Sequence, residues 1–218
     1  MSWEYHQDPR PDVQALMAPA GRRILDVGCG GGALGAALKR AGAAFVAGVE
    51  AHPPAAAAAA AVLDQVVAGD LLSAPLPFKP GAFDYLVFAD VLEHVPSPEA
   101  ALERYLPLLS AEGRVVVSVP NMRFYAVLWR LLRDRWAYTD SGVRDRTHLR
   151  IFTRRSLQDL LRGSGLAVER LTRNQRLFED QSRITRAGVV ATRLALATLG
   201  HVFTDLLAYQ YVAVARRA

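Results

Sequence analysis

The sequence predicts an α/β fold in which helices cover both faces of a doubly wound, mostly parallel sheet of seven strands. Short apolar runs alternate with helical patterns along residues 20–120, and this alternation is typical of parallel sheets with helical crossovers. The runs are almost continuously apolar, as expected for strands buried on both faces. The last run alternates Tyr209, Tyr211 and Ala213 with other residues, which predicts a final antiparallel strand entered by a hairpin-like connection.

Each predicted strand is a short apolar run bounded by glycine, proline or polar residues. The seven strands span residues 23–28, 45–50, 65–68, 83–89, 113–119, 166–171 and 208–215. Helices are predicted between them from apolar spacing, from an alanine run of high helix propensity and from capping signals. They span residues 34–41, 55–61, 98–109 and 182–199, with one more that begins after Thr153 and ends at Gly163 or Gly165.

Residues 121–153 interrupt the alternation and are interpreted as a lid-like insertion in a single domain that spans residues 1–218. The segment is rich in aromatic and arginine side chains. An apolar stripe at helical spacing is formed by Phe124, Leu128, Leu131 or Leu132, and Trp136. Such a stripe packs into a core in most proteins, whereas an exposed stripe suits peripheral contact with a membrane or an amphiphilic acceptor. Both interpretations stay open at this point.

Composition and charge exclude several classes of protein. The 218 residues are 51% hydrophobic and 22% charged, which is typical of a globular protein and not of a disordered or fibrous one. Residues 1–120 hold 8 basic and 13 acidic side chains, a balance of −5, whereas residues 121–218 hold 18 and 8, a balance of +10. Because no nucleic-acid-reading motif accompanies this basic half, nucleic acid is not expected as a partner.

A reducing, cytoplasmic location is expected. The chain has one cysteine, Cys29, so it forms no internal disulfide and no cysteine-based zinc site. The first residues lack a secretory signal pattern, and the apolar stretch 187–199 is interrupted by Arg193 and too short for a bilayer span.

The strongest local pattern is the glycine-rich stretch at residues 25–35, where the first strand passes into a helix. Gly28 and Gly30 allow a tight turn and the close approach of a ligand to the backbone. Twenty residues after Gly30, Glu50 ends the next strand, where a carboxylate can accept both hydroxyls of a ribose. The pair predicts a nucleoside cofactor.

The glycine spacing is also compatible with a nicotinamide dinucleotide, so an NAD-dependent oxidoreductase is an alternative. Two features weigh against it. Asp26 lies directly before the glycines, where a carboxylate would repel a pyrophosphate. A Tyr-x-x-x-Lys motif is absent, because Gly35 and Pro75 stand four residues before the only lysines.

Five motifs follow one another along the chain. They are LDVGCGGG at 25–32, GVE at 48–50, AGDL at 68–71, FDYLVFADVLEHV at 83–95 and GRVVVSVPN at 113–121. Together they resemble the class I S-adenosylmethionine-dependent methyltransferases, and most of all the branch of the ubiquinone-biosynthesis O-methyltransferases. The resemblance covers approximately residues 20–120 and continues through DRTHLRIFT at 145–153 to YQYVAVARR near the end. It implies a Rossmann-like fold and S-adenosylmethionine (SAM) as cofactor.

The resemblance also implies which residues bind the cofactor. They are Asp26, Gly28, Gly30, Glu50, Asp70, Leu71, Ala89 and Asp90. Asp26 would contact the ammonium group at the methionine end, directly or through water, and Glu50 would bind the ribose. Asp70, with the backbone at Leu71, would contact the adenine. The last two residues of the set close the site at the carboxyl end of the fourth strand, where ligands of open α/β sheets gather.

His94 and His148 are the candidate catalytic bases, although each could instead be a structural histidine. A base is needed only if the acceptor loses a proton, as a hydroxyl does, and the titration range of histidine suits that task. The Asn/Asp-Pro-Pro-Tyr/Phe element of relatives that methylate DNA bases or amides is absent, and ADVLEHV stands in its place. The expected reaction is O-methylation of a small or lipid-linked metabolite, without a metal. The non-enzyme alternative is a cofactor-binding but inactive partner in a surface polysaccharide or lipid pathway.

Three other polar residues near these motifs are given structural interpretations. Cys29 is expected to be a packing residue, because methyl transfer from a sulfonium needs no covalent intermediate on the enzyme. Asp84 is interpreted as a capping or pairing residue at the start of a strand, and Glu93 as a charge at the start of a helix.

Overall fold

A computed structural model of the chain describes residues 8–175 and 200–218, and its seven strands form one sheet. The strands are β1 (Arg23–Val27), β2 (Phe45–Glu50), β3 (Gln65–Ala68), β4 (Phe83–Ala89), β5 (Leu109–Pro120), β6 (Leu166–Gln175) and β7 (Ala208–Arg217). Their order across the sheet is β3-β2-β1-β4-β5-β7-β6. Strands β1 to β5 are parallel, and β7 is antiparallel to both β5 and β6. The predicted fold class is confirmed.

Both faces of the sheet are buried, which explains why the central strands are continuously apolar. In β1, Leu25 and Val27 pack into one hydrophobic cluster and Ile24 packs into another. Alternate residues of a strand point to opposite faces of the sheet. A strand in the middle of the molecule is therefore apolar at most of its positions.

Among the described residues, seven α-helices accompany the sheet, and two of them begin at a side-chain cap. The helices are α1 (Pro11–Gln14), α2 (Ala33–Arg40), α3 (Pro53–Ala60), α4 (Pro98–Tyr105), α5 (Tyr125–Leu131), α6 (Arg154–Gly163) and α7 (Gly200–Leu207). Ser97 caps α4, and Thr153 caps α6, since its hydroxyl oxygen accepts a hydrogen bond from the Ser156 N–H at 3.3 Å. The helix predicted at 182–199 lies outside the described residues. Within the described part of the chain, no helix has the length and apolar character needed to cross a membrane.

The predicted boundary between α4 and β5 is wrong. Helix α4 ends at Tyr105 instead of continuing to residue 109. Pro107 stands in a short 3₁₀ turn, Leu106–Leu108, and its missing N–H removes a hydrogen bond that a longer helix would need. Strand β5 consequently begins at Leu109, four residues before the predicted start at 113.

The two strands at the far edge of the sheet are longer than predicted. Strand β6 continues to Gln175 and β7 to Arg217, because the two strands pair with each other over nearly their whole length. The additional residues of β6 include Thr172, Arg173 and Asn174. Polar residues are tolerated at a sheet edge, so apolar periodicity underestimates the length of such a strand.

The apolar stripe predicted in residues 121–153 is divided by the structure. Its inner part packs in a separate small cluster formed by Phe124, Val127, Val143 and Tyr209. Helix α5 ends at Leu131, and Asp134 in the following turn has a positive φ of 53°. Because Trp136 lies beyond that turn, the predicted helical spacing from Phe124 to Trp136 is wrong.

Candidate active site

A cavity opens where the order of the strands reverses. Strands β1 and β4 lie side by side, while the chain continues from them toward opposite ends of the sheet. Ligands of open α/β sheets bind at such a point, beyond the carboxyl ends of the strands. The cavity has a volume of about 610 Å³, which is usual for a small-molecule site. The predicted site residues in its wall are Asp26, Gly28, Gly30, Ala89, Asp90, His94 and His148.

The glycine-rich loop forms one wall of the cavity. Gly28 has a φ of 73° and Gly30 a φ of 54°, and L-amino acids with side chains rarely adopt this conformation. A Cβ atom on Gly28 would lie 2.0 Å from Cγ2 of Val91. The loop is fixed to the next strand, because the Gly28 N–H donates to the Val49 carbonyl at 2.8 Å. The backbone therefore turns below the cavity without a side chain to fill it.

Asp26 lies on β1 directly before this loop, and only 2% of its surface is exposed. Burial, and next the nearby charge of Glu50, raises the pKa of Asp26 to about 7. The desolvated carboxylate is destabilised, and a cationic group beside it would favour its charged form. This wall of the cavity is therefore suited to an ammonium group.

Glu50 lies at the end of β2 and contacts the glycine-rich loop. Its Oε2 accepts a hydrogen bond from the Gly30 N–H and its Oε1 one from the His52 N–H, both at 2.8 Å. A carboxylate oxygen has two lone pairs, so each oxygen retains capacity for one ligand hydroxyl. Glu50 is not part of the cavity wall itself, but it is one hydrogen bond away from it.

Asp70 and Leu71 follow β3, next to the end of β2. The Gly69 N–H donates to the Glu50 carbonyl at 2.8 Å, which brings this turn beside Glu50. Asp70 Oδ1 accepts from the Leu72 N–H at 2.9 Å, so the carboxylate is held in the turn. Both residues lie outside the cavity wall, on the side where β2 and β3 end. They extend the site past Glu50.

Asp90 is fixed by three elements that are far apart in the sequence. It has a positive φ of 56°, and its Oδ1 accepts from the Ser118 hydroxyl at 2.7 Å. Its Oδ2 accepts from Arg10 Nη1 at 2.5 Å and from Gln210 Nε2 at 2.8 Å. Arg10 is itself buried. The side chain of Asp90 is thus largely occupied by the protein, and this network anchors the wall to which the neighbouring Ala89 belongs.

Glu93 is buried in the cavity wall, where the sequence indicated only a charge at a helix start. It stands in a 3₁₀ turn, Leu92–His94, and 1% of its surface is exposed. Its Oε2 has no hydrogen-bond partner among the described residues. Burial, and next the charge of Asp90, raises the pKa of Glu93 well above its usual value. A protonated, neutral carboxyl is the form that such an environment favours.

The two candidate bases lie together, with ring centroids 4.8 Å apart. Nδ1 of His148 is 3.2 Å from the Val143 carbonyl, which only accepts, so Nδ1 carries the proton and Nε2 is the basic nitrogen. Nδ1 of His94 is 3.0 Å from the Thr147 hydroxyl oxygen. That hydroxyl donates to Asp145 Oδ1 at 2.7 Å, so His94 also donates from Nδ1 and keeps Nε2 as its basic nitrogen.

The protonation of His148 is set by its surroundings. Burial, and next the neighbouring His94, lowers the pKa of His148, and the charge of Asp145 opposes this only in part. His148 is therefore neutral at pH 7, which is the form a general base requires.

Glu93, His94 and His148 also satisfy a simple geometric requirement for a metal site. Their potential ligand atoms all lie within 4.8 Å of one another. Carboxylate and imidazole groups are usual ligands of divalent metals. The three side chains therefore lie close enough together to hold such an ion if Glu93 is deprotonated, whereas the sequence indicated no metal ligand.

Cys29 and Asp84 have structural environments. Cys29 is 6% exposed, and burial together with the charges of Asp26 and Glu50 raises the pKa of its thiol, so the thiolate is disfavoured. Asp84 accepts a hydrogen bond from the Arg23 N–H at 2.9 Å. Neither residue has the surroundings of a nucleophile.

Several residues of the site were missed by sequence reasoning. They are Arg10, Ser118, Asp145, Thr147 and Gln210. Asp145 and Thr147 belong to the motif DRTHLRIFT, so the motif itself was a usable signal. Arg10 and Gln210 reach Asp90 across 80 and 120 residues of sequence, and no local pattern predicts such contacts.

The sheet order and the glycine-rich loop after β1 are those of a Rossmann-like fold of the methyltransferase type. A family model described as "Methyltransferase domain" matches residues 3–171. The chain belongs to this family, the class I SAM-dependent methyltransferases.

Curated relatives carry one recurring name. The chain is similar to a "Ubiquinone biosynthesis O-methyltransferase" of Azotobacter vinelandii, with 33% identity over 156 residues, which are 68% of this chain and 66% of that protein. A protein of the same name from Cupriavidus pinatubonensis is 32% identical over 124 residues, 53% of this chain and 48% of that protein. The chain spans about half the length of most of the curated relatives it matches.

Solved structures share the fold. A SAM-dependent methyltransferase from Mesorhizobium loti has a TM-score of 0.66 at 21% identity, covering 95% of this chain and 96% of that one. One from Archaeoglobus fulgidus has a TM-score of 0.66 at 17% identity, covering 99% and 95%. The cyclase SpnF has a TM-score of 0.59 at 22% identity, covering 91% and 75%. A fold of this kind hosts more than one reaction, so the reaction has to be argued from the site.

The family implies SAM, and the residues present fit this cofactor. SAM carries an ammonium group, and the buried Asp26 is a carboxylate that a cation would stabilise. The ribose hydroxyls could donate hydrogen bonds to the lone pairs of Glu50 that the protein leaves unused. A loop in which Gly28 has no room for a side chain lets the cofactor approach the backbone closely. The nicotinamide and non-catalytic alternatives are not favoured by the family matches.

Proposed function

We propose that the protein transfers the methyl group of SAM to a hydroxyl oxygen of a small or lipid-linked metabolite. The main support for this proposal is the protonation state and the position of His148. Its Nδ1 is occupied by the Val143 carbonyl, its basic Nε2 belongs to a neutral ring, and it lines the same cavity as the glycine-rich loop. A hydroxyl must lose its proton to become methylated, and a neutral imidazole accepts such a proton at neutral pH.

In this proposal, the cofactor is bound by residues at the ends of four strands. Asp26 pairs with the ammonium group, and Glu50 accepts hydrogen bonds from the ribose hydroxyls. Asp70 and the backbone N–H of Leu71 contact the adenine. The glycines at 28 and 30 form the floor, and Ala89 and Asp90 form the adjoining wall. Bound in this way, SAM supplies an electrophilic methyl group on a sulfonium. The protein then has to orient the acceptor and receive its proton, because alignment accounts for much of the acceleration of a direct displacement.

His94 lies beside His148 and is a second candidate for the base. The contacts from His94 through the Thr147 hydroxyl to Asp145 orient its ring. The O-methyltransferase names of the relatives agree with an oxygen acceptor. At the end of β4, ADVLEHV stands where relatives that methylate amides have the Asn/Asp-Pro-Pro-Tyr/Phe element, which also favours a hydroxyl acceptor.

A screen for methyl transfer tests the proposal. Purified protein is incubated with SAM labelled in its methyl group and with paired acceptors that differ only in hydroxyl versus amine, including phenols, sugars and their lipid-linked forms. We expect label in hydroxyl compounds and little in the matched amines. Label transferred only to nitrogen, or no transfer by protein that binds S-adenosylhomocysteine, would contradict the proposal.

A further inference from the structure

Residues 129–138, here called the outer segment, form the last turn of α5 and the loop that follows. Its large apolar side chains are exposed rather than packed: Trp129 54%, Leu131 49%, Leu132 80%, Trp136 39% and Tyr138 61%. Soluble proteins rarely expose a contiguous group of this size, and such groups mark surfaces of interaction. The proposed reaction leaves these five side chains without a role.

The outer segment is also basic. It contains three arginines and one acidic residue, Asp134. The guanidinium of Arg133 lies over the ring of Trp129, 4.2 Å from its centroid. The rings of Trp136 and Tyr138 contact each other edge to face at 5.8 Å. Aromatic and cationic groups are thus interleaved on one exposed stretch of ten residues.

The outer segment is held in place from its inner side. Phe124 and Val127 of the same helical stretch are fully buried against Val143 and Tyr209. Both of these partners line the cavity, as does Thr139, the residue directly after the segment. The apolar side chains of the segment therefore project from an anchored base at the edge of the candidate active site.

We propose that the outer segment docks this protein on the surface of a membrane that contains anionic lipids. Tryptophan and tyrosine rings settle at the level of the headgroups, leucines enter the acyl boundary, and arginines bind lipid phosphates. The net positive charge of the segment complements an anionic surface, and the basic balance of residues 121–218 acts in the same direction. Docking would place the cavity edge against the lipid, and it does not depend on the chemistry of the acceptor.

Sedimentation with vesicles tests this surface in the 218-residue chain. The vesicles contain either phosphatidylcholine alone or phosphatidylcholine with phosphatidylglycerol. We expect binding to the anionic vesicles and little to the neutral ones. Arg133→Ser with Arg135→Ser should weaken it about 30-fold, and Trp129→Ser with Leu132→Ser should weaken it by about tenfold or more.

Matched variants on other surfaces serve as controls. Val62→Ser removes an exposed apolar side chain and Arg155→Ser an exposed arginine, both outside the outer segment. We expect both to bind anionic vesicles like the wild type, and all variants to keep the wild-type melting temperature and affinity for S-adenosylhomocysteine.

Three results would overturn the proposal. One is an absence of vesicle binding by the folded wild-type protein. Another is equal binding by the wild type and the Trp129→Ser, Leu132→Ser variant. The last is a wild-type dimer in sedimentation velocity that this variant dissociates, because the surface would then join two copies of the chain. Since each readout is a binding measurement, failure here leaves the proposed methyl transfer untouched.

Discussion

Asp26, Glu93 and His148 line one cavity, and burial shifts the pKa of each toward its neutral form. The two carboxyls have raised pKa values, whereas the imidazole has a lowered one. The cavity thus holds groups whose protonation responds strongly to a bound cation or to a polar acceptor. These three residues are therefore the ones whose replacement should change binding or catalysis most.

Replacing Glu50 tests the ribose assignment. Glu50→Ala should weaken the binding of S-adenosylhomocysteine by about 1.5–3 kcal/mol, since hydrogen bonds to a charged group are lost. Isothermal titration calorimetry measures the affinity, and Glu112→Ala, at an exposed carboxylate of β5, is the matched control. Unchanged affinity in a folded Glu50→Ala protein would remove this residue from the ribose role.

The pKa of Asp26 predicts a pH-dependent affinity for the cofactor. Free protein holds a carboxyl with a pKa of about 7, and an ammonium group beside it favours the carboxylate, so binding releases a proton. The affinity for S-adenosylhomocysteine should therefore rise as the pH increases from about 6 to about 8 and then level off. Calorimetry across this range measures the rise, and Asp26→Asn should abolish it. A wild-type affinity that is constant over the range would disprove the assigned contact.

His148 should control the rate and not the affinity. With the acceptor found in the screen, His148→Ala should lower kcat by about 100-fold or more, which is usual for loss of a general base. His148→Gln keeps a donor for the Val143 carbonyl and should preserve the melting temperature while the rate still falls. Because only the neutral ring accepts a proton, the wild-type rate should fall as the pH drops through the pKa of His148, below the usual histidine value. A near-normal rate in either variant would mean that His94 is the base or that the reaction needs only positioning of the acceptor.

At the scale of secondary-structure elements, helix α6 fixes the segment that carries His148. Its N-terminus is closed by a reciprocal capping box between Thr153 and Ser156. The backbone of the preceding motif is tied to Glu93, whose carbonyl accepts from the Leu149 N–H at 2.8 Å. The segment that bears His148 is therefore joined to the 3₁₀ turn that bears His94.

Removing the cap should destabilise the protein without changing the cofactor site. Thr153→Ala should lower the free energy of unfolding by about 1 kcal/mol, the usual contribution of an N-cap. Thr153→Ser retains the hydroxyl and should unfold close to the wild type. Chemical denaturation measures both, alongside the affinity for S-adenosylhomocysteine, which we expect to be unchanged. Equal stability of the alanine and serine variants would show that the cap contributes little.

Element boundaries were predictable where burial imposes a pattern. The bounds of β2, β3 and β4 agree with the sequence prediction residue by residue. Burial on both faces makes β2 and β4 continuously apolar, and Gly69 ends the short apolar run of the edge strand β3. The end of β6 was not predictable, since polar residues of an edge strand carry no apolar period, and β7 continues past its apolar run through Arg216 and Arg217. The end of α5 was also missed, because Asp134 in a left-handed conformation is a backbone feature that its residue type does not impose.

Considering the whole molecule, the sequence predicted which segments meet at the cavity. It did not predict the contacts between residues that are far apart in the sequence. Local motifs placed the glycine-rich loop and His94 beside the cavity, because parallel strands bring their carboxyl ends together. His148 reaches the cavity wall from the segment between α5 and α6. The burial of Glu93 and the approach of Arg10 to Asp90 depend on segments distant in sequence. Those contacts decide which carboxyl is free for a ligand, and only the structure reveals them.

A crystal structure of the protein with S-adenosylhomocysteine would show where the cofactor binds. We expect the ribose on Glu50, the amino group beside Asp26, and the sulfur facing the part of the cavity lined by His148 and His94. An adenosine bound away from the ends of β1 and β2, or a sulfur facing away from both histidines, would contradict this expectation.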